Sequence, residues 1–408
     1  MKPEILLIGG GVSGVTTGIV LRLLGHPTRI VCRHWLGDAD STGNWYSAEP
    51  RFASQYPAAS IIPHSVKIED EAWHMKTNLL LFEALHFLGT AGVRKQRHYE
   101  VYEKQGERAS YAPGMAGYRP LPDDGSGEPG VPRRADDVPV FGWSFQTLFA
   151  EMPRYRSFLA GLYRKLGGAV ESGRFLNKET LGNEPAETVI NCAGAWGPGL
   201  WGDAEPSRFV KGTLVRADAA GRIPWNRATG EIFSYNYHPA PAIYARPDGS
   251  AADVYFYPRT DGWLLGGTRL ESEDLTAESV RFSDEAGPWN GEAWGGKTIA
   301  VPQDGAPGVV NQVPEPIIAL NCDIISSLTG CDVTTLPKTA MTGYRHKRST
   351  VRLETEATTS RRIIHNYGHG GAGVTLSWSC AIRAASLVGA NKLSGNDVEQ
   401  LLMESVRL

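Results

Sequence analysis

The sequence contains little cysteine and has no excess of charge of either sign. Its 408 residues include five cysteines, none of them in a CxxC pair, and carry a net charge of −3. An odd number of cysteines without paired spacing argues against a disulfide framework and indicates reduced thiols, so we expect a cytoplasmic location. The balanced charge leaves no basic patch for nucleic acid or for an anionic membrane.

Long apolar runs and internal repeats are also missing. The first apolar segment begins too early for a signal peptide, and Arg22 interrupts the next one before it could span a bilayer. We therefore expect no membrane segment. With 41% hydrophobic and 21% charged residues, the composition is typical of a soluble enzyme of two or three domains.

The N-terminal glycines form the first motif. An apolar strand, Glu4–Ile8, leads into Gly-Gly-Gly-Val-Ser-Gly at positions 9–14, and a helical pattern continues to Leu24. This is G-x-G-x-x-G between a strand and a helix, where the pyrophosphate of a dinucleotide rests on the helix N-terminus. The predicted contacts are Gly9, Gly11, Val12, Ser13 and Gly14.

The second strand ends without the acidic residue that usually binds the ribose hydroxyls of a dinucleotide. Residues Arg29–Cys32 are followed instead by Arg33 and His34. We predict that Arg33 contacts a phosphate or the adenine, and the alternative is an idle surface charge.

A second glycine cluster lies near the C-terminus. An apolar strand leads into Gly368–Gly373, and a helix is predicted from about Val374 to Leu387. Glycines allow backbone N–H groups to approach a ligand closely, and a helix start adds a partial positive charge. An ordinary tight turn is the alternative. No metal site is predicted, because His365 and His369 lie in a glycine loop without an acidic partner at a metal-like spacing.

Two further segments supply small residues. The strand Thr188–Asn191 delivers the chain to Cys192-Ala193-Gly194, where no large side chain obstructs a flat ligand. Residues 53–60 form a loop of small residues after the second strand, for which a polar surface loop is the alternative. A helix over residues 158–166 and a strand over 169–176 repeat the strand–helix–strand pattern that a discontinuous nucleotide-binding domain requires.

Together, these segments resemble the FAD-dependent D-amino-acid oxidases over nearly the whole chain. Asn-Cys-Ala-Gly at 191–194, Tyr-x-x-Pro at 255–258, and Gly-Tyr-Arg at 343–345 followed by Arg-Leu-Glu at 352–354 match motifs of that family. The resemblance implies an α/β fold. One part is a discontinuous, Rossmann-like domain that binds FAD non-covalently. The other is an interleaved substrate domain with a mixed, mainly antiparallel sheet.

The resemblance also implies domain ranges and cofactor contacts. The FAD-binding domain is expected to comprise residues 1–63, 152–201 and 340–408, and the substrate domain residues 64–151 and 202–339. Beyond the N-terminal glycines, the implied FAD contacts are Arg33, His34, Ala53, Ser54, Ala58, Ala59, Leu176, Ala193, Gly194, Gly370, Gly371, Gly373, Val374 and Thr375.

Two residues are implied to bind the substrate. Arg352 stands where the family's arginine grips the substrate carboxylate, and a planar guanidinium matches a carboxylate with two parallel hydrogen bonds. A solvated basic face is the alternative. Tyr255 corresponds to the tyrosine that makes a second contact, with a purely structural tyrosine as the alternative. The mobile tyrosine of some family members is replaced by Ala251 and Ala252.

The implied activity is the oxidation of a D-amino acid. A hydride passes from the substrate α-carbon to flavin N5, water hydrolyses the imino acid to a 2-oxo acid and ammonia, and dioxygen reoxidises the flavin to give hydrogen peroxide. One alternative is an amine or imino-acid oxidase or dehydrogenase with a specialised biosynthetic substrate. Another is a nicotinamide-dependent or non-enzymatic dinucleotide-binding protein. The preferred substrate stays open, as does the oligomeric state, a homo-oligomer included.

Two stretches are long for such an oxidase. Residues 114–137 are rich in glycine, proline and charge, which predicts an irregular loop. Residues 282–314 contain Trp289 and Trp294 among glycines and prolines, which predicts an ordered lid or an interface.

Overall fold

A computed structural model describes residues 2–38, 49–55, 59–62, 66–205, 207–246, 249–272, 297–357, 361–389 and 393–407. The helices are α1 Val12–Leu23, α2 Glu71–Leu88, α3 Met152–Lys165, α4 Lys178–Gly182, α5 Gly197–Trp201, α6 Glu315–Thr329, α7 Ser377–Val388 and α8 Gly395–Arg407. The strands are β1 Ile5–Gly10, β2 Thr28–Trp35, β3 Val93–Tyr102, β4 Arg119–Pro120, β5 Phe141–Ala150, β6 Ala169–Glu171, β7 Thr188–Asn191, β8 Arg208–Ala217, β9 Phe233–His238, β10 Val254–Arg259, β11 Gly262–Gly266, β12 Leu270–Ser272, β13 Thr298–Pro302, β14 Val310–Pro314, β15 Lys338–Arg352, β16 Thr355–Ala357, β17 Arg362–His365 and β18 Tyr367–His369.

The first sheet has the strand order β16-β17-β7-β1-β2-β6. Neighbouring strands are parallel except for β16 and β17. The side chains of the central strand β1 are apolar on both faces of the sheet, because helices cover both faces. Leu7 belongs to the core formed with α1 and α3, whereas Leu6 packs on the other side with Leu181 of α4 and Leu200 of α5.

Helix α2 packs against α7 of this half of the molecule through a buried polar contact. The Ser379 hydroxyl lies 2.8 Å from His74 Nδ1 and accepts a hydrogen bond from Asn78 Nδ2 at 2.7 Å. The Ser379 backbone N–H donates to Asn78 Oδ1 at 3.0 Å. Because polar groups away from water are stable only when paired, this contact fixes where α2 docks.

The second sheet has the order β18-β15-β8-β11-β10-β9-β3-β5-β4, and β12 pairs with β8. Of its described pairs, only β3–β9 is parallel. Helix α6 covers one face, where Tyr235 and Phe256 are buried. Tyr255 and Tyr257 lie on the opposite face in another cluster, since residues two apart on a strand share a face. The predicted fold class is therefore confirmed, including a mixed, mainly antiparallel second sheet.

The predicted domain ranges agree with the first sheet more closely than with the second. Strands of the first sheet come only from the segments assigned to the FAD-binding domain. Strands β15 and β18, which lie in the last of those segments, belong instead to the second sheet. Helix α2, from a segment assigned to the substrate domain, packs in the core of the first half. The domain boundaries stay predictions.

The two long stretches differ in how far the structure describes them. Residues 114–137 contain only the end of a short 3-10 turn and the two-residue strand β4, as expected for an irregular loop. Within 282–314, residues 282–296, with both tryptophans, lie outside the described residues. The remainder forms the hairpin of β13 and β14.

All five cysteines are free thiols, and only Cys331 is not buried. Within the described ranges, no helix combines the length and the apolar character needed to cross a membrane.

Asn321 of α6 joins that helix to the sheet, and its removal should be costly. Its side-chain amide donates to the carbonyls of Gly266 and Ile317 and accepts from the Tyr235 hydroxyl at 2.8 Å. Asn321→Leu would leave these buried groups unpaired, which we expect to lower the free energy of unfolding by about 1–3 kcal/mol in a urea titration. The control Ser327→Ala, at an exposed position of the same helix, should change it by less than about 0.5 kcal/mol. Equal effects of the two changes would contradict the prediction.

Candidate functional site

A cavity opens along the carboxyl ends of β2, β1 and β7 and continues to the glycine loop after β18. In open α/β sheets this edge is where ligands bind. The predicted cofactor residues that line the cavity are Gly9, Gly11, Val12, Ser13, Arg33, His34, Ala53, Ser54, Leu176, Ala193, Gly194, Gly370 and Gly373. The structure thus brings together residues from six separate parts of the chain.

The floor of the cavity is a close contact between backbone segments. A Cβ atom on Gly14 would lie 1.9 Å from the Gly9 carbonyl oxygen, and one on Gly9 would lie 2.3 Å from the Cys192 carbonyl oxygen. Gly9 also has φ of +111°, which residues with a side chain rarely adopt. These glycines allow α1 to begin directly behind β1, so that its N-terminus, with its partial positive charge, faces the cavity.

The loop at residues 53–55 is attached to the start of α1. The Ser54 hydroxyl accepts a hydrogen bond from the Val12 backbone N–H at 3.0 Å. A hydroxyl at this place satisfies one of the N–H groups that a helix start leaves without an intrahelical partner. The predicted contact Ala58 lies outside the described residues.

The charge on the cavity wall favours an anionic ligand. Among the described lining residues are Arg33, Arg51 and Arg174, and no aspartate or glutamate. Arg51 forms a 2.6 Å ion pair with Glu49, and Arg174 pairs with Glu171 at 2.7 Å. A wall of one sign of charge attracts ligands of the opposite sign, such as a pyrophosphate.

The cavity has two ends, because β1 is flanked by β2 on one side and β7 on the other. The β2 end is lined by Arg33, His34 and Phe175, and Phe175 is 46% exposed. This is the side on which a Rossmann-type domain binds the adenosine of its dinucleotide. The β7 end is lined by Trp196, by Tyr344 and by residues of the glycine loop. This β7 end is therefore the part of the cavity available to the second half of the dinucleotide.

The prediction for the C-terminal helix start was wrong by three residues. The chain forms a 3-10 turn at Gly370–Ala372, and the regular helix α7 begins only at Ser377. The glycines favour tight turns, and the Ser377 backbone N–H closes one of them by donating to the Val374 carbonyl, three residues earlier, at 3.2 Å. The partial positive charge of α7 therefore arises later in the chain than at Val374.

The other predicted cofactor residues lie beside the cavity without lining it. Ala59 accepts a hydrogen bond from the Ala150 backbone N–H, and the Thr375 hydroxyl donates to the Ser60 carbonyl. Val374 packs in the hydrophobic core, and Gly371 is exposed in its turn. Their roles toward a cofactor stay predictions.

Several lining residues were not predicted from the sequence. Tyr344 and His346 line the β7 end together with His369. The signal that could have identified the first two is their spacing, since alternate residues of a strand face the same side. Basic residues at 345, 347, 348 and 352 interrupt the polar and apolar alternation of this strand, which makes the signal weak.

Burial sets the charge state of the two histidines at this end. Loss of solvent lowers the pKa of both His346 and His369 to about 4, so both rings are neutral at pH 7. Partial burial also lowers the pKa of His34 at the other end. The cavity thus gains hydrogen-bonding groups without further positive charge.

The predicted substrate residues do not line the cavity. The Arg352 guanidinium, whose side chain is only 11% exposed, donates to Glu354 at 2.7 Å, to the Tyr367 hydroxyl at 2.9 Å and to Glu356 at 3.0 Å. Tyr255 is buried on its sheet face, 5.6 Å from Tyr257 between ring centroids. No hydrogen bond between Arg352 and Tyr255 is found among the described residues, so their joint role stays a prediction.

An arginine other than Arg352, namely Arg269, lies beside Tyr255. The Arg269 guanidinium is 5.4 Å from the centroid of the Tyr255 ring and 2.8 Å from Asp253. Its side chain remains 39% exposed, in contrast to that of Arg352. It follows Gly266-Gly267-Thr268 in the sequence, and nothing in its immediate pattern indicated a functional role.

Comparisons with known proteins agree with this geometry. Residues 4–387 match the model of a family described as FAD dependent oxidoreductase. The chain is 30% identical to a D-amino-acid oxidase of Rubrobacter xylanophilus, over 94% of this chain and 95% of that one. It is 27% identical to a D-amino-acid oxidase of Streptomyces coelicolor, over 94% and 96%. The solved L-proline dehydrogenase from P. horikoshii shares the fold with a TM-score of 0.59 at 12% identity, over 96% and 94%.

Replacement of Gly14 tests the cavity floor. Gly14→Val would force α1 away from the Gly9 carbonyl, and we expect the purified variant to contain no bound flavin in its visible absorption spectrum. Gly161→Val is a matched control on α3, because a Cβ there meets no atom within 4 Å, and it should keep its full flavin content. A Gly14 variant as yellow as the control would show that the N-terminal assignment is incorrect.

Proposed function

The chain belongs to the family of FAD-dependent oxidoreductases, and on that premise we propose that it is an oxidase of D-amino acids. Bound FAD would accept a hydride from the substrate α-carbon and pass the electrons to dioxygen, giving a 2-oxo acid, ammonia and hydrogen peroxide. The observation that carries this proposal is the similarity of nearly the whole chain to two D-amino-acid oxidases.

The described residues fit the cofactor in shape and in chemistry. The glycines at positions 9 and 14 let α1 begin close behind β1, so that its N-terminal N–H groups face the place of a pyrophosphate, and the arginines of the wall supply charge of the opposite sign. No covalent attachment is proposed. Denaturation in acid should therefore release the yellow colour into the supernatant.

The substrate is proposed to bind on the face of the second sheet that carries Tyr255. Phe149, Leu214 and Met341 pack with this tyrosine in a buried apolar cluster, and an apolar amino acid would suit the edge of that cluster. Arg352 remains the proposed partner of the substrate carboxylate. To act in this way it must exchange at least one of its present acceptors, Glu354 or Glu356, for the substrate.

The same ion pairs favour the amine within a second candidate, the oxidation of an amine or imino acid. A substrate without a carboxylate would need no free guanidinium, and Arg352 already has three acceptors within the protein. A simple amine differs from an amino acid by the missing carboxylate and a cyclic imino acid by its secondary nitrogen, so one set of substrates can separate the candidates.

The proposed function is best tested by anaerobic bleaching of the flavin absorbance, because this readout does not depend on the natural electron acceptor. D-amino acids, L-amino acids, cyclic imino acids and simple amines would be compared, with peroxide release measured in air. Bleaching by D-amino acids supports the first candidate. Bleaching by amines or cyclic imino acids but not by D-amino acids supports the second, and bleaching by none of them would refute both. The proposal includes a cytoplasmic location, consistent with free cysteines.

We predict that Arg352→Ala raises the apparent KM for the amino acid strongly and leaves flavin content unchanged. Loss of a charge-assisted pair in a closed site costs about 2–5 kcal/mol, or roughly thirty- to several-thousand-fold in binding. Arg352→Lys should recover little, because an ammonium group lacks the planar fork. Tyr255→Phe should cost only about 1 kcal/mol, since one neutral donor is lost.

Arg269→Ala provides the comparison for this prediction. Arg269 adjoins Tyr255 and carries the same charge, so a nonspecific electrostatic role would make the two alanine variants alike. A large KM effect at Arg269 with none at Arg352 would transfer the role of carboxylate partner to Arg269. No effect at either position would favour a substrate without a carboxylate.

A further inference from the structure

His346 is a buried histidine whose ring nitrogens have no partner among the described residues. It lies on β15, the residue is only 6% exposed, and no hydrogen bond from that part of the chain reaches Nδ1 or Nε2. A buried polar group left unpaired destabilises the folded protein. Such groups are rare in folded proteins and call for an explanation, commonly a ligand.

Aromatic rings pack against the imidazole of His346 without hydrogen bonding to its nitrogens. The centroid of the His346 ring lies 5.4 Å from that of Phe209, the residue opposite it on the neighbouring strand β8. It lies 6.0 Å from the centroid of the Tyr367 ring. These aromatic contacts fix the position of the imidazole. They provide no acceptor for its N–H and no donor for its second nitrogen.

The charged groups near His346 form ion pairs and hydrogen bonds with one another. Arg348 pairs with Asp203 at 2.8 Å and with Glu205 at 3.2 Å, and the Tyr367 hydroxyl donates to Asp203 at 2.8 Å. The second histidine of the cavity, His369, is neutral at pH 7 and also has an Nε2 atom without a partner. The part of the chain that the structure describes therefore offers His346 no hydrogen bond.

The position of His346 within the cavity identifies the part of the cofactor that it would meet. It lines the cavity together with Tyr344, Gly368 and Gly370, at the β7 end, whereas Arg33 and Phe175 line the β2 end. Because the pyrophosphate is expected over the α1 N-terminus between these ends, the adenosine and the flavin halves occupy opposite sides.

We propose that His346 is a cofactor-positioning residue whose ring forms a hydrogen bond with a polar atom of the flavin half of FAD. A neutral imidazole has one donor and one acceptor. It can therefore bind either a carbonyl oxygen of the isoalloxazine edge or a ribityl hydroxyl. The proposal depends only on FAD as cofactor and holds whichever substrate the enzyme oxidises.

The test is a pair of titrations on the flavin-free protein. FAD binding is followed by quenching of flavin fluorescence, and ADP binding by calorimetry, because ADP contains the adenosine and the pyrophosphate without the flavin. His346→Phe keeps an aromatic ring between Phe209 and Tyr367 but removes both nitrogens. We expect it to weaken FAD binding about five- to tenfold, the value of one net hydrogen bond, and to leave ADP binding unchanged.

Two further measurements make the outcome decisive. His346→Gln, which retains a donor and an acceptor, should recover part of the FAD affinity. The flavin-free His346→Phe protein should melt at the wild-type temperature or above it, since its imidazole has no partner to lose. FAD binding equal to wild type would overturn the proposal. So would an equal loss of FAD and ADP affinity, or a clear drop in melting temperature, because each would indicate a structural role.

Discussion

The structure depends on a backbone contact into which no side chain fits. Gly14 faces the Gly9 carbonyl, and Gly9 faces the Cys192 carbonyl, so that α1, β1 and β7 meet with only hydrogen atoms between them. This approach brings the N-terminus of α1 to the edge of the sheet and forms the floor of the cavity. Any larger residue would separate the helix from the strand, and the charge of the helix end would no longer face a ligand.

The features that could be predicted from the sequence are those that glycine motifs and apolar patterns specify. Gly9, Gly14 and the strand around Tyr255 were identified because their conformations or motifs permit few alternatives. The start of α7 at Ser377 was not, since hydrogen bonds within the turn decide where a glycine-rich segment becomes helical. The docking of α2 also required the structure. It depends on Ser379, about 300 residues from Asn78 in the sequence, and no local pattern reports such a contact.

The polar residues of the cavity wall fall into two groups, arginines and neutral histidines. Arg51 and Arg174 are paired with acidic residues, which fix the guanidinium groups in place and offset part of their charge. The histidines at the β7 end carry no charge at pH 7, and each has at least one ring nitrogen without a partner among the described residues. Positive charge and neutral hydrogen-bonding groups are thus supplied by different residues of one cavity.

The order of strands in the first sheet has a consequence for folding. The sheet combines β1, from the first ten residues, with β17, which ends at residue 365, and the Thr16 hydroxyl of α1 contacts the Ser377 carbonyl of α7, 361 positions away. Contacts between such distant residues form slowly, because loop closure precedes any gain in stability. During synthesis, the dinucleotide cavity therefore cannot be completed until the segment with Gly370 and Gly373 has left the ribosome. Until then β7 lacks its neighbour β17 and presents an unpaired strand edge that is prone to aggregation.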